Sequence, residues 1–160
     1  MEKSSNLDNL SHLKLHLSGK AVVLGIGNTL RSDDGVGSLL VNGISGKVPF
    51  IVYDGSSSPE NYLGKIIKDN PDNILLVDAV DFGGKPGEFT VLEGESVETV
   101  NFFSTHDASI SLAIDYLKKS LPDTGILVLA IQPASIAFGE GLSAEVCKTL
   151  ELLKEWFTNG

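Results

Sequence analysis

The sequence predicts a three-layer α/β/α sandwich, an α/β fold with a five-stranded, mostly parallel twisted sheet, one antiparallel strand and helices on both faces. Two observations predict this class. Short, continuously apolar runs, typical of strands covered on both faces, alternate with segments of helical periodicity. One further run, Phe89 to Leu92, is entered through a Gly- and Pro-rich turn, which indicates an antiparallel edge strand.

Five strands are predicted, at 21–26, 48–53, 74–77, 89–92 and 126–131. Helices are predicted over 35–44, from Ser58, after 107 and over 143–157. Ser58 and Ser143 are favourable N-caps, and Pro59 suits the first position of a helix. Right-handed crossovers between parallel strands then distribute the helices over both faces of the sheet.

The 160 residues fit one domain, which we expect over 20–160, with 1–19 as an N-terminal appendage. Leu7, Leu10, Leu13 and Leu17 recur at helical spacing in this segment. Leu13, Leu15 and Leu17 also alternate as a strand would, so both interpretations remain open.

Charge and composition exclude several classes of function. The net charge of −9 makes nucleic acid and anionic lipid poor partners. The chain lacks both the apolar run of a secretory signal and the ~20 apolar residues of a membrane span. We therefore expect a cytoplasmic protein without membrane insertion. As a separate expectation, the protein is a monomer. A single cysteine, Cys147, excludes an internal disulfide and is expected to be a partly buried small residue.

Polar side chains gather where the predicted strands end. Ligands of open parallel sheets bind at the carboxyl ends of the strands, so these positions are the candidates for a site. The residues concerned are Asn28, Asp33 and Asp34 after the first strand, Asp54 after the second, Asp78 and Asp81 after the third, and Gln132 after the fifth. His106 precedes the helix that leads to the fifth strand.

Asp34, Asp78 and His106 supply two carboxylates and one imidazole from three separate loops. This donor set can hold zinc, nickel, manganese or iron and leave positions open for water or substrate. Each residue also has a purely structural interpretation. Asp34 could cap a helix, Asp78 could close a turn, and His106 could be a hydrogen-bonded structural histidine. Spacing alone does not decide between a metal site and these structural roles.

The segment from Gly25 to Gly27 also invites a dinucleotide-binding interpretation. Leu30 occupies the third glycine position of that motif, and Asp33 and Asp34 would repel a pyrophosphate. We therefore disfavour a nucleotide site. A broad aminopeptidase is also disfavoured, since its two-metal site needs more ligands than these loops offer.

Four segments in order resemble the hydrogenase maturation protease family, over roughly residues 20–157. The first matches the family pattern G-x-G-N-x-L-x-x-D-D-G-x-G nearly throughout. The segments are 25–37; Val77-Asp78-Ala79 with Asp81 and Pro86-Gly87-Glu88; Ser104-Thr105-His106; and Ile131-Gln132-Pro133. Ser58-Pro59-Glu60-Asn61 and Thr105-His106 are closer to the hydrogenase 3 branch than to the hydrogenase 2 branch.

The resemblance implies an endopeptidase that removes the C-terminal extension of a nickel-loaded [NiFe]-hydrogenase large-subunit precursor. It implies that Asp34, Asp78 and His106 are the catalytic and metal-contacting residues, that the precursor supplies the nickel, and that no organic cofactor is needed. Further expected contacts with the substrate come from residues around these three: Gly27, Asn28, Asp33, Asp54, Asp81 and Gln132.

Two alternatives stay open. A nickel or precursor chaperone would bind through the same surface without cutting, and a purely aspartic mechanism would also use Asp34 and Asp78. The chain departs from the family pattern at two places. Ala130 stands where a glycine is frequent, which a strand should tolerate, and residues 1–19 precede the first strand.

Overall fold

The computed structural model describes residues 2–96 and 107–159, with side chains over 6–96 and 110–159. Its strands are β1 Ala21–Ile26, β2 Ile51–Ser56, β3 Asn73–Ala79, β4 Phe89–Glu93 and β5 Gly125–Ile131. Its helices are α1 Glu2–His16, α2 Val36–Ile44, α3 Leu63–Asp69, α4 Asp107–Ser120 and α5 Ala144–Asn159. Short 3-10 turns lie at Ser32–Gly35, Pro59–Tyr62 and Gly94–Ser96.

The strands form one mixed sheet in the order β2-β1-β3-β5-β4. β1 runs parallel to β2 and β3, β3 runs parallel to β5, and β4 pairs antiparallel with β5. The predicted fold class is therefore confirmed, including the antiparallel edge. β2, the next strand in the chain, lies on one side of β1, and β3 lies on the other side. The crevice between the ends of β1 and β3 is thus a topological switch point, where ligands of such sheets bind.

Alternation along the strands creates two cores. One face of the sheet packs against α1, α2 and α5, through residues such as Val23, Leu75 and Leu129. The other face packs against α3 and α4, through Leu24 and Leu76 among others. The apolar face of α4 is almost fully buried through four residues: Ile110, Ala113, Ile114 and Leu117.

Three local expectations were wrong. The second strand begins at Ile51, where pairing with Val22 of β1 starts, so Asp54 lies inside β2 rather than after it. Ser58 makes no capping hydrogen bond, since a 3-10 turn precedes α3. Cys147 is exposed because the neighbouring Val146 takes the buried position on α5.

Residues 2–16 form a helix, so the strand interpretation of this segment was wrong. Leu13 is fully buried within the first core. Asn9 binds the edge strand in both directions: its Nδ2 donates to the Phe89 carbonyl at 3.1 Å, and its Oδ1 accepts from the Val91 amide at 3.3 Å. α1 thus packs onto the sheet. The boundary between an appendage and a domain at residue 19 stays a prediction.

The docking of α1 is expected to depend on pH through His16. Its Nε2 lies 2.7 Å from the Ile74 carbonyl oxygen, so this nitrogen carries the proton and donates. Burial lowers the pKa of His16 below its ordinary value of 6.5. The unfolded chain therefore binds the proton more readily than the folded one. The stability contributed by neutral His16 is complete above pH 6.5 and declines as pH falls through that value.

Urea denaturation of wild type and His16→Gln between pH 8 and pH 5, about the range in which histidine titrates, measures this effect. The difference in free energy of unfolding should shrink as the solution is acidified. His12→Gln removes an exposed histidine from the same helix, so this variant should still lose stability with falling pH as wild type does. If the difference in free energy of unfolding between wild type and His16→Gln stayed constant with pH, the role of His16 would be contradicted.

Gly37 allows α2 to approach the ends of β1 and β3. A Cβ at this position would collide with the carbonyl oxygens of Ile26 and Val77. We expect Gly37→Ala to lower the free energy of unfolding by about 2 kcal/mol or more, since backbone atoms cannot move aside cheaply. Gly64→Ala in α3 is the matched control: nothing lies within 4 Å of its added Cβ. Urea denaturation should show this control unchanged or stabilised by about 0.5–1 kcal/mol; equal effects of both changes would refute the close approach.

Candidate functional site

The loop after β1 folds back tightly on itself. Gly27 donates its amide to the Ser56 carbonyl at 2.7 Å, and a Cβ at Gly27 would collide with the Asp34 carbonyl oxygen. The Asn28 amide donates to Asp34 Oδ2 at 3.2 Å. Gly27 and Asn28 therefore shape the loop that holds Asp34, consistent with a glycine requirement for close backbone approach.

Asp34 is buried at the mouth of the crevice between β1 and β3. Its side chain is 1% exposed, and its 3-10 turn contacts β3. The N-cap residue of α2 is Gly35, which makes no side-chain capping bond, so the interpretation of Asp34 as a helix cap was wrong. Asp34 therefore stays a candidate for a site at the switch point of the sheet.

Asp78 lies at the same crevice, on the central strand. The β1–β3 ladder ends with the Gly25–Val77 pair, so Asp78 extends beyond β1 while it still pairs with Ala130 of β5. It is fully buried, and its Oδ1 accepts the Ala79 amide at 2.9 Å. Two buried carboxylates therefore lie at the ends of the neighbouring strands β1 and β3, where the sheet has its switch point.

His106 lies outside the described residues, so its place in the site stays a prediction. α4 begins with the next residue, Asp107. Strand alternation assigns Asp78 to the face of the sheet that α4 covers, because Leu76 and Val80 belong to that core. Within 2–96 and 107–159, no three His, Cys, Asp or Glu side chains form a metal-binding group. The described residues thus contribute the two carboxylates alone.

Asp33 faces away from the crevice and anchors the β5–α5 loop, residues 132–143. Its carboxylate is fully buried. Oδ1 accepts the Ser143 amide at 2.7 Å, and Oδ2 accepts the Ser143 hydroxyl at 2.8 Å and the Ala134 amide at 2.8 Å. These contacts favour a role in holding two loops together over direct contact with substrate.

Replacing Asp33 by Asn should destabilise the protein by about 3 kcal/mol, because an amide cannot accept on both sides. One nitrogen would face the Ser143 amide or the Ala134 amide as a second donor. Chemical denaturation monitored by circular dichroism provides the measurement. Asp115→Asn, at an exposed position of α4, is the matched control and should stay within about 0.5 kcal/mol of wild type. A stable Asp33→Asn variant would refute the anchor.

Asp54 is engaged inside the structure as well. Its carboxylate accepts hydrogen bonds from the Ser38 hydroxyl at 2.8 Å, the Asn42 amide at 2.8 Å and the Ser56 backbone amide at 2.9 Å. It therefore ties β2 to α2.

Gln132 and Asp81 hold the loop after β3. Gln132 Oε1 accepts the backbone amides of Phe82 and Gly84, both at 3.0 Å, and its Nε2 donates to Asp81 Oδ1 at 3.1 Å. Gln132 is 6% exposed, whereas Asp81 lies at the surface. Of the expected substrate contacts, Asp81 is exposed, Asn28 and Asp54 are half-buried, and Asp33 and Gln132 are buried. Substrate contact by any of the six stays a prediction.

Beyond Gln132, which the sequence identified, the β5–α5 loop binds Arg31 and Ser32, a contact that the sequence did not reveal. Ser32 donates its amide to the Gly139 carbonyl at 2.8 Å and its hydroxyl to the Ala137 carbonyl at 2.7 Å. Arg31 Nε donates to the Ile136 carbonyl at 3.0 Å. At the end of this loop the sequence predicts Ser143 as a helix cap. That prediction is confirmed, because its Oγ accepts the Val146 amide at 3.4 Å.

The family model for HycI, a hydrogenase maturation protease, matches residues 42–159. The hydrogenase 3 maturation protease of Escherichia coli K12 is 31% identical over 145 residues, which cover 87% of this chain and 92% of that protein. The family match spans three of the four segments on which the resemblance rests, and it begins after the first of them, residues 25–37.

Solved structures share the fold. The [NiFe] hydrogenase maturation protease HycI from Thermococcus kodakarensis superposes with a TM-score of 0.80 at 30% identity, over 92% of this chain and 97% of that one. The endopeptidase HycI from Escherichia coli gives a TM-score of 0.72 at 28% identity, over 88% and 90%. No helix in the described part of this chain is long and apolar enough to cross a membrane.

Proposed function

Since this chain belongs to the hydrogenase maturation protease family, and is accordingly an endopeptidase, we propose its specific reaction. It removes the C-terminal extension of the nickel-loaded precursor of a [NiFe]-hydrogenase large subunit. The observation that carries the proposal is the pair of buried carboxylates, Asp34 and Asp78, at the crevice between β1 and β3. Family membership supports a protein substrate, and the paired carboxylates support hydrolysis at this crevice.

The residues of the crevice are proposed to bind a metal ion that the substrate carries. In the described residues Asp34 and Asp78 offer oxygen donors, and no third His, Cys, Asp or Glu joins them. Oxygen donors without thiolates hold nickel weakly, whereas substrate cysteines bind it strongly. The free protein is then half of a site, and the precursor supplies the ion together with the remaining ligands. His106 is the proposed third ligand from this chain.

Substrate-bound nickel, once docked, would polarise the carbonyl of the scissile peptide bond and acidify a bound water. The residues of this chain orient that substrate and move protons. One of the two carboxylates, Asp34 or Asp78, accepts the proton of the attacking water as oxygen bonds to the carbonyl carbon. The same proton passes to the departing amine as the C–N bond breaks. A purely aspartic mechanism uses the same two groups without metal assistance.

The tight loop around Asp34 supports this chemistry by holding the carboxylate before substrate arrives. Asn28 fixes one carboxylate oxygen, and Asp33 locks the adjacent residues onto the β5–α5 loop. Groups held in place before binding do not lose as much entropy in the reaction.

Mass spectrometry of the precursor separates the protease from the chaperone alternative. Purified nickel-loaded precursor is incubated with the protein, and its mass is followed with time. Loss of a C-terminal segment is the expected result. A stable complex with an unchanged precursor mass would support the non-catalytic chaperone instead. Asp78→Asn protein serves as the control for contaminating proteases.

A further inference from the structure

An exposed apolar pair lies on the rim next to the buried carboxylates. Leu30 is 59% exposed and Phe138 is 79% exposed. The two come from distant parts of the chain, yet their backbones are joined: Gly139 donates its amide to the Leu30 carbonyl at 2.9 Å, and Arg31 pairs with Gly139 in a parallel bridge. We call Leu30, Arg31 and Phe138 the rim patch.

The rim patch is held rigidly. The Arg31 guanidinium lies over the Phe138 ring, 4.8 Å from its centre, while its Nε donates to the Ile136 carbonyl. Ser32 has a positive φ of 52°, a conformation that non-glycine residues rarely adopt, and hydrogen bonds to Gly139 and Ala137 hold it there. Side chains fixed in this way lose little entropy when a partner covers them.

The composition of the patch is that of a protein-binding centre. Aromatic residues and arginine dominate such centres, whereas lysine is depleted from them. Arg31 is the single arginine of a chain that otherwise carries lysines as its cations. Single exposed apolar residues are ordinary on protein surfaces. Here an aliphatic, an aromatic and an arginine side chain are joined by hydrogen bonds and stacking.

The rim patch is continuous with the site. The Leu30 amide donates to Asn28 Oδ1 at 3.0 Å, and the Asn28 amide donates to Asp34 Oδ2 at 3.2 Å. Two hydrogen bonds through Asn28 thus link Leu30 to Asp34. A substrate polypeptide bound at the Asp34 carboxylate would therefore also lie close to Leu30. The patch also differs in charge from its surroundings. Arg31 makes it positive, whereas the nearby loops carry the carboxylates of Asp34, Asp78 and Glu140.

We propose that the rim patch docks the protein substrate, an inference that rests on the proposed function. The partner covers Leu30 and Phe138 with an apolar side chain and directs a carboxylate towards the Arg31 guanidinium. This contact lies outside the cleavage crevice and determines how tightly the substrate binds. It takes no part in the breaking of the peptide bond.

Cleavage kinetics with purified nickel-loaded precursor test the patch. Leu30→Ala and Phe138→Ala should each raise KM about 10-fold and leave kcat unchanged, as expected for anchors of an interface. Arg31→Gln should raise KM and weaken its dependence on salt. Leu112→Ala is the matched control, since this leucine is 70% exposed on α4 and lies outside the patch. Its KM should equal that of wild type.

Binding of the precursor, measured by calorimetry in an Asp78→Asn background, distinguishes failure of the inference from failure of the proposed function. Wild type that cleaves, together with patch variants of unchanged KM and affinity, overturns the docking surface alone. Wild type that binds but never cleaves, with binding weakened by Phe138→Ala, overturns the proposed function and supports the patch. Absence of both binding and cleavage overturns both. A patch variant that converts a dimer to a monomer in sedimentation would assign the patch to a second copy and overturn the proposal.

Discussion

Replacing Asp78 by Asn is expected to reduce cleavage of the precursor by at least about 100-fold, the range in which loss of a general base falls. The substitution conserves shape, and the amide oxygen can still accept the Ala79 amide that Asp78 Oδ1 accepts now. The charge is lost, and with it the ability to take a proton from water or to help hold a cation. Asp34→Asn is expected to have an effect of the same order.

The double variant sharpens this prediction. If the two carboxylates act on one water and one metal, Asp34→Asn and Asp78→Asn together should be scarcely worse than either alone. Initial rates from precursor mass, with urea midpoints to verify folding, provide the data. Asp123→Asn, at an exposed turn before β5, is the matched control. Near-wild-type rates in either single variant would remove that carboxylate from the chemistry.

The sheet could be predicted because its central strands are covered on both faces. β3 and β5 are buried almost end to end, so they appear in the sequence as unbroken apolar runs. β2 lies at an edge and is only partly buried over most of its length, with Asp54 in its interior. An apolar run therefore marks its position poorly, and its start was placed three residues early.

Contacts between distant segments could not be predicted. Asp33 and Ser143 are separated by 110 positions, and their residue types do not predict that they are in contact. The same limit applies to α1. Its leucines gave both helical and strand periodicities, and only the fold shows that Leu13 enters the core while Leu7 and Leu15 stay exposed.

The positions of the two carboxylates could be predicted, whereas their role in a site stays a prediction. The strand-end rule identified Asp34 and Asp78, and the structure shows both buried, at the ends of β1 and β3. The rule could not separate Asp34 from its neighbour Asp33. Successive residues of a 3-10 turn point about 120° apart, so one carboxylate lies at the crevice and the other binds the β5–α5 loop. That difference depends on the turn, which the sequence did not reveal.

Dependence on nickel in the precursor is the second large effect we expect. Asp34 and Asp78 are oxygen donors, and without the soft ligands of the substrate they provide little affinity for nickel. The metal should therefore arrive with the precursor, bridging the two proteins and positioning the scissile bond. Without it the precursor loses both an anchor and the polarising ion. We expect at least about 100-fold slower cleavage, because a polarising metal ion supplies several kcal/mol of transition-state stabilisation and each ~1.4 kcal/mol changes the rate tenfold.

The design requires one precursor in two states. Nickel-loaded and nickel-free precursor are prepared from the same protein, and both are verified for nickel content and for folding by circular dichroism. Each is incubated with equal amounts of wild-type protein, and with Asp78→Asn protein as the blank. Addition of free nickel to the nickel-free reaction tests whether the ion can act when it is not already seated in the precursor.

The most direct test of nickel dependence is the ratio of the two initial cleavage rates, read from precursor mass. The nickel-loaded form should lose its C-terminal extension, whereas the nickel-free form should lose almost none. Equal rates for the two forms would contradict a role for nickel in cleavage.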